Sequence, residues 1–387
     1  MTGPSTPAAP HGGTGRPGLK AVALGGGHGL HATLSALRRL TDDITAVVVV
    51  ADDGGSSGRI RRELDILPLG DLRMALGALA GQENPGPDNT LWQRVFEHRY
   101  GGHGALAGHA VGNLVLAGLL EVLDDPVAAL DQACRLLGVR GRVLPMSPNP
   151  VDIEADVTGI RDPGGGDGTD SGDRDVAHRI RGQVAVATTP GRVQQVRLDP
   201  RRPKACAEAC EALRTADVIT LGPGSWFSSV LPHLLVPELF AALTESEARR
   251  VLVLNLAPQP GETAGFSPEQ HLDVLAAHAP RLRLDVVVAD TAAVPEPDRL
   301  RRGAEAFGAD TLLTTVGASD GSPRHDPDAL AAALADAAHH RVEHPPAGPA
   351  ANGAHGAHGP ARDPHHGVTV SGADPARPHQ EEDRRWP

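Results

Sequence analysis

The sequence is poor in aromatic residues and in cysteine. It contains three Trp, one Tyr and five Phe in 387 residues, and its three cysteines form no CxxC pair. An odd number of cysteines excludes a fully paired disulfide framework, and the missing CxxC pair argues against a thiolate metal site. We therefore expect a protein of a reducing compartment.

Positive charge and long apolar runs are also scarce. The chain has 36 Lys and Arg against 48 Asp and Glu, a net charge of −12, which gives no general attraction to nucleic acid or to anionic lipid. No apolar run approaches the roughly 20 residues of a membrane span, and the N-terminal stretch has no apolar signal core. These absences predict a soluble, cytoplasmic protein with neither a nucleic-acid partner nor a membrane span.

Gly and Pro are abundant, at 46 and 34 residues, and they cluster in three low-complexity segments. Residues 1–17 and 341–387 predict disordered ends, and residues 161–175 predict a flexible loop insertion. The tail is rich in His, Pro and Gly, but nothing around its histidines fixes a coordination geometry, so no metal site is assigned to it. The remaining residues, 18–340, are predicted to form one nucleotide-binding α/β domain.

Strand and helix patterns alternate in this domain. Apolar runs of strand length end in Gly, Pro or a polar residue, and the helical segments between them begin with signals such as Ser267-Pro268 and Asp326-Pro327. The alternation predicts a Rossmann-like open, mostly parallel sheet with helices on both faces. A helix-rich stretch and a hairpin predicted over residues 183–199 suggest a smaller inserted subdomain.

A glycine-rich loop follows the first predicted strand. Gly27, Gly29 and Ala32 satisfy GxGxxA, a pattern in which glycines let the backbone approach a phosphate at a helix N-terminus. The candidate ligand-binding residues of this loop are Gly26, Gly27, His28 and Gly29. A tight turn without a ligand is the structural alternative.

A second candidate segment follows the next predicted strand. Asp52 and Asp53 could accept hydrogen bonds from ribose hydroxyls or hold Mg²⁺, and Gly54, Ser56 and Ser57 could donate hydrogen bonds to phosphate. Mg²⁺ at the two carboxylates is accordingly the candidate cofactor. A polar loop without a metal remains the alternative.

Three polar residues near predicted helix starts are candidates with structural alternatives. Asp71 either caps a helix or contacts the ligand. His109 and Asn113 lie four residues apart on one predicted helix face, where they either reach the ligand or belong to a capped core helix.

Two later loops complete the candidate site. Gly222, Gly224 and Ser225 form a glycine turn before a predicted helix, which predicts a second anion-binding turn. Phe266 follows another strand in a glycine-rich loop, where it either stacks on a base or packs under the next helix. Since GxSxG, the Walker A lysine and HExxH are absent from the sequence, no catalytic residue is assigned.

Six segments in this order resemble the bacterial gluconeogenesis factor family, of the CofD-like superfamily that includes phospholactate transferases: GGGHGL, TAVVVVADDGGSSGRIRRELDILPLGDLR, GHAVGNLVLAGL, VRGRVLP, LGPGSWFSSVLPHLLVPEL and NLAPQPGETAGF. The resemblance implies a UDP-N-acetylglucosamine-binding regulatory protein involved in cell shape and cell-wall control during gluconeogenic growth. It implies a uridine-nucleotide site at 26–29, Asp52, Asp53, Ser56, Ser57 and the 222–225 turn. Candidate partners are a second copy of the chain and cell-wall regulatory proteins.

His28 departs from the family pattern, which usually has Thr in GGGTGL, so the ligand geometry at this loop could differ. Two other functions stay open. One is an Mg²⁺-dependent phospholactate-type nucleotide transferase, with Asp52 and Asp53 as metal ligands. The other is an NAD-dependent oxidoreductase, which GxGxxA with a later Asp partly fits and the DDGGSSG continuation disfavours. Whether the protein is an enzyme is left undecided, with binding alone preferred.

Overall fold

The computed structural model describes residues 18–80, 87–160 and 176–339. The segments predicted to be disordered or flexible, 1–17, 161–175 and 341–387, lie outside these described residues.

Ten strands occur in the described residues, and they form two sheets. In chain order the strands are β1 Ala21–Gly25, β2 Ile44–Val48, β3 Arg142–Pro145, β4 Asp152–Thr158, β5 His178–Arg181, β6 Arg192–Asp199, β7 Val218–Leu221, β8 Arg249–Val253, β9 Val286–Asp290 and β10 Asp310–Thr314. The larger sheet has the order β10-β9-β8-β7-β1-β2-β3, and the smaller has the order β5-β4-β6.

Helices connect most of these strands. They are α1 Gly27–Leu37, α2 Gly55–Leu64, α3 Gly70–Ala80, α4 Pro87–Glu97, α5 Val111–Leu123, α6 Pro126–Leu137, α7 Gln183–Thr188, α8 Ala207–Thr215, α9 Leu231–Leu234, α10 Pro237–Glu245, α11 Pro268–His278, α12 Pro297–Glu305 and α13 Pro327–His339. A π-helical turn, Trp226–Val230, precedes α9.

Every strand pairing in the seven-stranded sheet is parallel, which confirms the predicted fold class. On one side of β1 the sheet continues with β2 and then β3. On the other side β1 pairs with β7, and β8, β9 and β10 follow. The strand order therefore reverses between β1 and β7. Open α/β sheets bind their ligands at such a point, beyond the carboxyl ends of the strands.

The central strands are buried, as their unbroken apolar sequences predict. All five residues of β1 and of β9 are buried, and so are all four of β7. Such runs are typical of parallel strands covered on both faces. The predicted helix starts are also confirmed: Gln270 accepts a hydrogen bond from Ser267 N at 2.9 Å, and Asp326 accepts one from Ala329 N at 2.9 Å.

The hairpin predicted over residues 183–199 is wrong in its first half. Gln183–Thr188 forms helix α7, and only Arg192–Asp199 is a strand. The start of α7 is held by Asp53, whose carboxylate accepts a hydrogen bond from Val184 N at 2.9 Å. This contact from a distant loop overrides the strand propensity of alternating valines. The predicted small subdomain is nevertheless present as the antiparallel sheet β5-β4-β6.

Candidate functional site

The loop between β1 and α1 lies at the carboxyl edge of the sheet. Gly26 is buried, and a methyl group there would lie 2.5 Å from Val49 Cγ1 and 2.6 Å from Asp71 Oδ2. Gly27 has φ +56°, in the left-handed region that favours glycine. His28 is exposed at the first turn of the helix. The residue that departs from the family pattern thus faces solvent beside the loop.

The two predicted glycine turns contact each other at the point where the strand order reverses. A methyl group at Gly29 would lie 2.1 Å from the Pro223 carbonyl oxygen, so only glycine permits this approach. Thr33 Oγ1 donates a 2.8 Å hydrogen bond to the Gly222 carbonyl. The structure therefore brings the β1–α1 loop and the turn after β7 into one site.

Asn255 fixes the second glycine turn from the end of β8. Its Oδ1 accepts a hydrogen bond from Gly224 N, and its Nδ2 donates one to the Gly224 carbonyl, each at 2.8 Å. Sequence reasoning missed this residue. The available signal was a polar side chain in or just after an apolar run of the sequence, the kind of signal that singled out Asp52.

The predicted anion-binding turn around Ser225 already holds a carboxylate. Glu262 accepts hydrogen bonds from the hydroxyls of Ser225 and Ser228, the latter at 2.6 Å, and from Phe227 N at 3.0 Å. Glu262 is buried, with 5% of its surface exposed. The Ser225 hydroxyl, which the sequence assigned to a ligand, is thus already bonded to a side chain of the protein. The sequence did not predict this contact.

Asp52 lies at the end of the segment that continues β2. Its Oδ1 accepts a 2.9 Å hydrogen bond from Gly54 N, and Ser57 also hydrogen-bonds the carboxylate. Burial raises the pKa of Asp52, and the neighbouring Asp53 carboxylate adds to the rise, whereas the two hydrogen bonds oppose it. Ser57 Oγ in turn accepts a 3.1 Å hydrogen bond from Gly70 N, which ties α2 to the start of α3.

Asp71 is the most perturbed carboxylate of the site. Helix α3 begins at Gly70, so Asp71 lies within the first turn and the predicted capping role is wrong. Burial, and to a smaller extent the negative charge of Asp52, raise the pKa of Asp71 to about 7. The hydrogen bond that Asp71 accepts from the Gly27 N–H opposes this rise. Two carboxylates, Asp52 after β2 and Asp71 in the first turn of α3, therefore share one small region with the glycine loop.

Asp53 contacts a different part of the protein from Asp52. Its Oδ1 accepts the hydrogen bond from Val184 N, and a methyl group at Gly182 would lie 2.2 Å from its Oδ2. The Asp53 carbonyl also accepts a 3.0 Å hydrogen bond from Arg62. The two adjacent carboxylates proposed for Mg²⁺ thus make their hydrogen bonds with separate elements.

Ser56, His109 and Asn113 form a buried hydrogen-bonded cluster. Ser56 Oγ lies 3.0 Å from His109 Nδ1 and accepts a 3.1 Å hydrogen bond from Asn113 Nδ2. Burial lowers the pKa of His109. Helix α5 begins at Val111, so His109 precedes the helix rather than opening it, yet it reaches the same serine as Asn113. The cluster joins the starts of α2 and α5.

Phe266 packs against the next helix, as one of its two predicted alternatives requires, while stacking on a base stays a prediction. Its ring makes edge contacts with Phe227, at 6.4 Å between centroids, and with His271 of the next helix, at 5.5 Å. It also lines a cleft of about 370 Å³ between the turn at 189–192 and the loop at 261–266, with Thr189, Arg192 and Gln270. Because Glu262 lines this cleft as well, the cleft adjoins the turn after β7.

The described residues contain no group of three or more His, Cys, Asp or Glu side chains arranged to hold a metal ion. Within the same residues no single helix is long and apolar enough to cross a membrane, although the bent pair Trp226–Leu234 and Pro237–Glu245 meets the length and composition test.

Comparison with known proteins defines the family. The family model described as 2-phospho-L-lactate transferase CofD matches residues 21–315. A "Putative gluconeogenesis factor" of Mycobacterium tuberculosis is 57% identical over 316 residues, covering 81% of this chain and 88% of that protein. A "Gluconeogenesis factor" of Halalkalibacterium halodurans is 38% identical over 257 residues, covering 66% of this chain and 73% of that protein.

A solved structure agrees with these sequence matches. The crystal structure of a UPF0052 family member from Bacillus halodurans has a TM-score of 0.70 and 32% identity, and the match covers 82% of this chain and 99% of that chain. The chain described here therefore belongs to the CofD family, among the relatives named gluconeogenesis factors.

Proposed function

We propose that the protein is a cytoplasmic regulator that binds a UDP-sugar, UDP-N-acetylglucosamine, at the carboxyl edge of the large sheet. The observation that carries this proposal is a pair of helix starts with glycine caps. Gly26 precedes α1 and Gly54 precedes α2, so neither cap has a side chain to bond the first-turn N–H groups, and neither first turn contains an acidic residue. From outside α1, Asp71 accepts the N–H of Gly27. Helix N-termini without a cap side chain attract phosphate groups.

The geometry supports a nucleotide diphosphate as the ligand class. The strands before these helices, β1 and β2, are neighbours in the sheet, so the two helix starts open toward the same edge. Asp52 lies at that edge as an acceptor for ribose or uracil groups. Phe266 provides an aromatic ring in the adjoining cleft, and stacking of a base on it completes the proposed subsite.

The regulatory part of the proposal rests on the family. The relatives are named gluconeogenesis factors, and we propose that ligand occupancy shifts this protein between states that cell-wall regulatory partners distinguish. In this account the protein controls cell shape and wall synthesis during growth on gluconeogenic carbon sources. A second copy of the chain is a further candidate partner.

A specific observation favours a second function, Mg²⁺-dependent transfer of a phospholactate-type group. Asp52 and Asp71 lie close enough for the charge of one to raise the pKa of the other. Neighbouring carboxylates suit Mg²⁺, which binds through one or two carboxylates together with substrate phosphates. When bound, the ion would stabilise negative charge on a transferring phosphoryl group. Asp52 and Asp71, rather than Asp52 and Asp53, are the residues that fit it.

A thermal-shift panel tests the proposed function. UDP-N-acetylglucosamine, UDP-glucose, GDP, GTP and NAD are each added with and without Mg²⁺. UDP-N-acetylglucosamine at a hundredfold excess over Kd should stabilise the protein by roughly 2.7 kcal/mol, while NAD leaves the melting temperature unchanged. Stabilisation by NAD with no response to any UDP-sugar would contradict the proposal, and Mg²⁺-dependent consumption of a nucleotide would favour the transferase.

A further inference from the structure

Helix α5 exposes an apolar face. Its sequence, VGNLVLAGLLEVL, has one charged residue, Glu121, and its buried side is formed by Gly112, Asn113, Leu116 and Ala117. On another side, Val115 and Leu119 are half-buried and Val122 is 81% exposed. Spacings of four and three residues put these three side chains on one face of the helix. A helix that is apolar almost all round is normally buried all round, so this face suits a contact with another molecule.

Helix α4 continues the apolar face, because Leu91 is 56% exposed and Trp92 is 44% exposed. The two helices contact each other, and a methyl group at Gly112 would lie 2.6 Å from Phe96 Cδ1. The backbone that connects the helices pairs antiparallel, so they run in opposite directions. Trp92, one turn before Phe96, therefore lies toward Val115. We define the apolar patch as Leu91, Trp92, Val115, Leu119 and Val122.

The rest of the chain offers little to cover the apolar patch. The segments outside the described residues contain few large apolar side chains, namely Met1, Val342, Val368, Val370 and Trp386. Segment 161–175, which is the longest internal one, contains none. Contiguous exposed apolar surface of this kind marks interaction sites. The occupant is therefore another molecule.

The two ends of α5 carry opposite charges. At its amino end, Arg59 and Arg99 are exposed, and each donates a hydrogen bond to a backbone carbonyl at 107–108, at 2.9 and 3.1 Å. At its carboxyl end, Glu121 and Asp124 are exposed. A second α5 packed antiparallel on the first would place the acidic end of each helix beside the arginines of the other. A parallel arrangement would bring like charges together.

We propose that the apolar patch is a self-association surface, on which a second copy of the chain packs with the two α5 helices antiparallel. The contact is isologous, so the same side chains serve both copies. The centre of the patch is uncharged, which lets two chains of net charge −12 meet there without placing like charges in contact. This inference assigns a surface to the second-copy partner, and it does not depend on the identity of the ligand.

Sedimentation equilibrium of the full chain, over about 1 to 100 µM, tests the surface. The variants are Val122→Glu and Trp92→Ala, and each fold is checked by circular dichroism and urea denaturation. Leu64→Glu is the matched control, because it adds the same charge at a 40% exposed apolar residue of another helix, α2, outside the apolar patch.

We expect the wild type to reach twice the chain mass. Val122→Glu should raise the Kd of the dimer at least about 10-fold, because each copy would bury an unpaired carboxylate. Trp92→Ala should act in the same direction, and Leu64→Glu should match the wild type. A monomeric wild type, or equal dimerisation of Val122→Glu and Leu64→Glu, would overturn the inference. So would a monomeric wild type that binds vesicles of phosphatidylcholine and phosphatidylglycerol through Val122, since lipid would then be the occupant.

A charge exchange tests the antiparallel arrangement. Arg99→Glu and Glu121→Arg each place like charges together in their own dimers, so each variant alone should dimerise less tightly than the wild type. Mixed together, they pair opposite charges at both ends of α5. Native mass spectrometry of the mixture should then show more heterodimer than random pairing gives. Random pairing would overturn the antiparallel arrangement.

Discussion

The carboxylate of Asp71 lies against the backbone of Gly26, so that a methyl group on the glycine would lie 2.6 Å from Asp71 Oδ2. This contact joins the start of α3 to the loop between β1 and α1, although 44 residues separate the two positions in the chain. It places a carboxylate with a raised pKa directly beside the proposed phosphate loop. We therefore expect the stability and the binding properties of the site to depend on this contact.

Gly26→Ala should destabilise the protein by about 1 to 3 kcal/mol and abolish UDP-sugar binding. The added methyl group would overlap Val49 and Asp71, and relief of that overlap must move the loop. Urea denaturation and calorimetry measure the two effects. Gly118→Ala is the control, because Gly118 is an exposed helical residue with no atom within 4 Å of an added methyl group, and there alanine should be neutral or stabilising. Wild-type behaviour of Gly26→Ala would show that the loop accommodates a side chain.

Asp71 should make the stability depend on pH between about 4 and 7. Its pKa is about 7 in the folded protein against 3.8 ordinarily, so in this window the folded state binds a proton that the unfolded state does not. The contribution of Asp71 to stability therefore falls as pH rises through the window, by up to roughly 1.4 kcal/mol per pH unit, and is constant above it. Denaturation of the wild type and Asp71→Asn from pH 5 to pH 8 isolates this contribution. A difference between the two proteins that does not vary with pH would refute it.

Glu262→Ala should cost about 1 to 3 kcal/mol of stability. The substitution removes the acceptor of Phe227 N and of the Ser228 hydroxyl in a buried environment. Glu305→Ala, at an exposed position on α12, should change stability by less than about 0.5 kcal/mol. If Glu262→Ala were as stable as Glu305→Ala, the carboxylate would not be holding the turn.

Much of the fold could be predicted because local patterns and tertiary structure agree. The buried apolar strands and the starts of α11 and α13 follow from residues adjacent in sequence. Helix α7 could not be predicted in this way. Its alternating valines favour a strand, and the decisive contact comes from Asp53, far away in the sequence.

The candidate site also has a part that local sequence signals predict and a part that depends on contacts between distant residues. The glycine loops and Asp52 carry local signals, because they follow apolar strands. Asn255 bonds Gly224, and Glu262 bonds the Ser225 turn; both contacts join residues that are more than 30 positions apart in the chain. The sequence therefore indicated which loops converge, but not which of their donors are already occupied.

Phe266→Leu should weaken UDP binding by about 1 to 3 kcal/mol, the range for stacking of a base on an aromatic ring. Leucine keeps apolar volume against Phe227 and His271 but removes the flat face in the cleft. Pyrophosphate affinity should be unchanged, because pyrophosphate has no base, and it serves as the internal control. Equal losses for UDP and pyrophosphate would indicate a general distortion instead of a base subsite.

Calorimetric titration of UDP-N-acetylglucosamine into the wild type and Asp52→Ala, with and without Mg²⁺, tests the central claim most directly. We expect saturable binding to the wild type without Mg²⁺ and a loss of about 1.5 to 3 kcal/mol in Asp52→Ala, the range for hydrogen bonds to a charged group. Equal affinity of the two proteins would remove Asp52 from the site, and no binding to the wild type under either condition would contradict the UDP-sugar proposal itself.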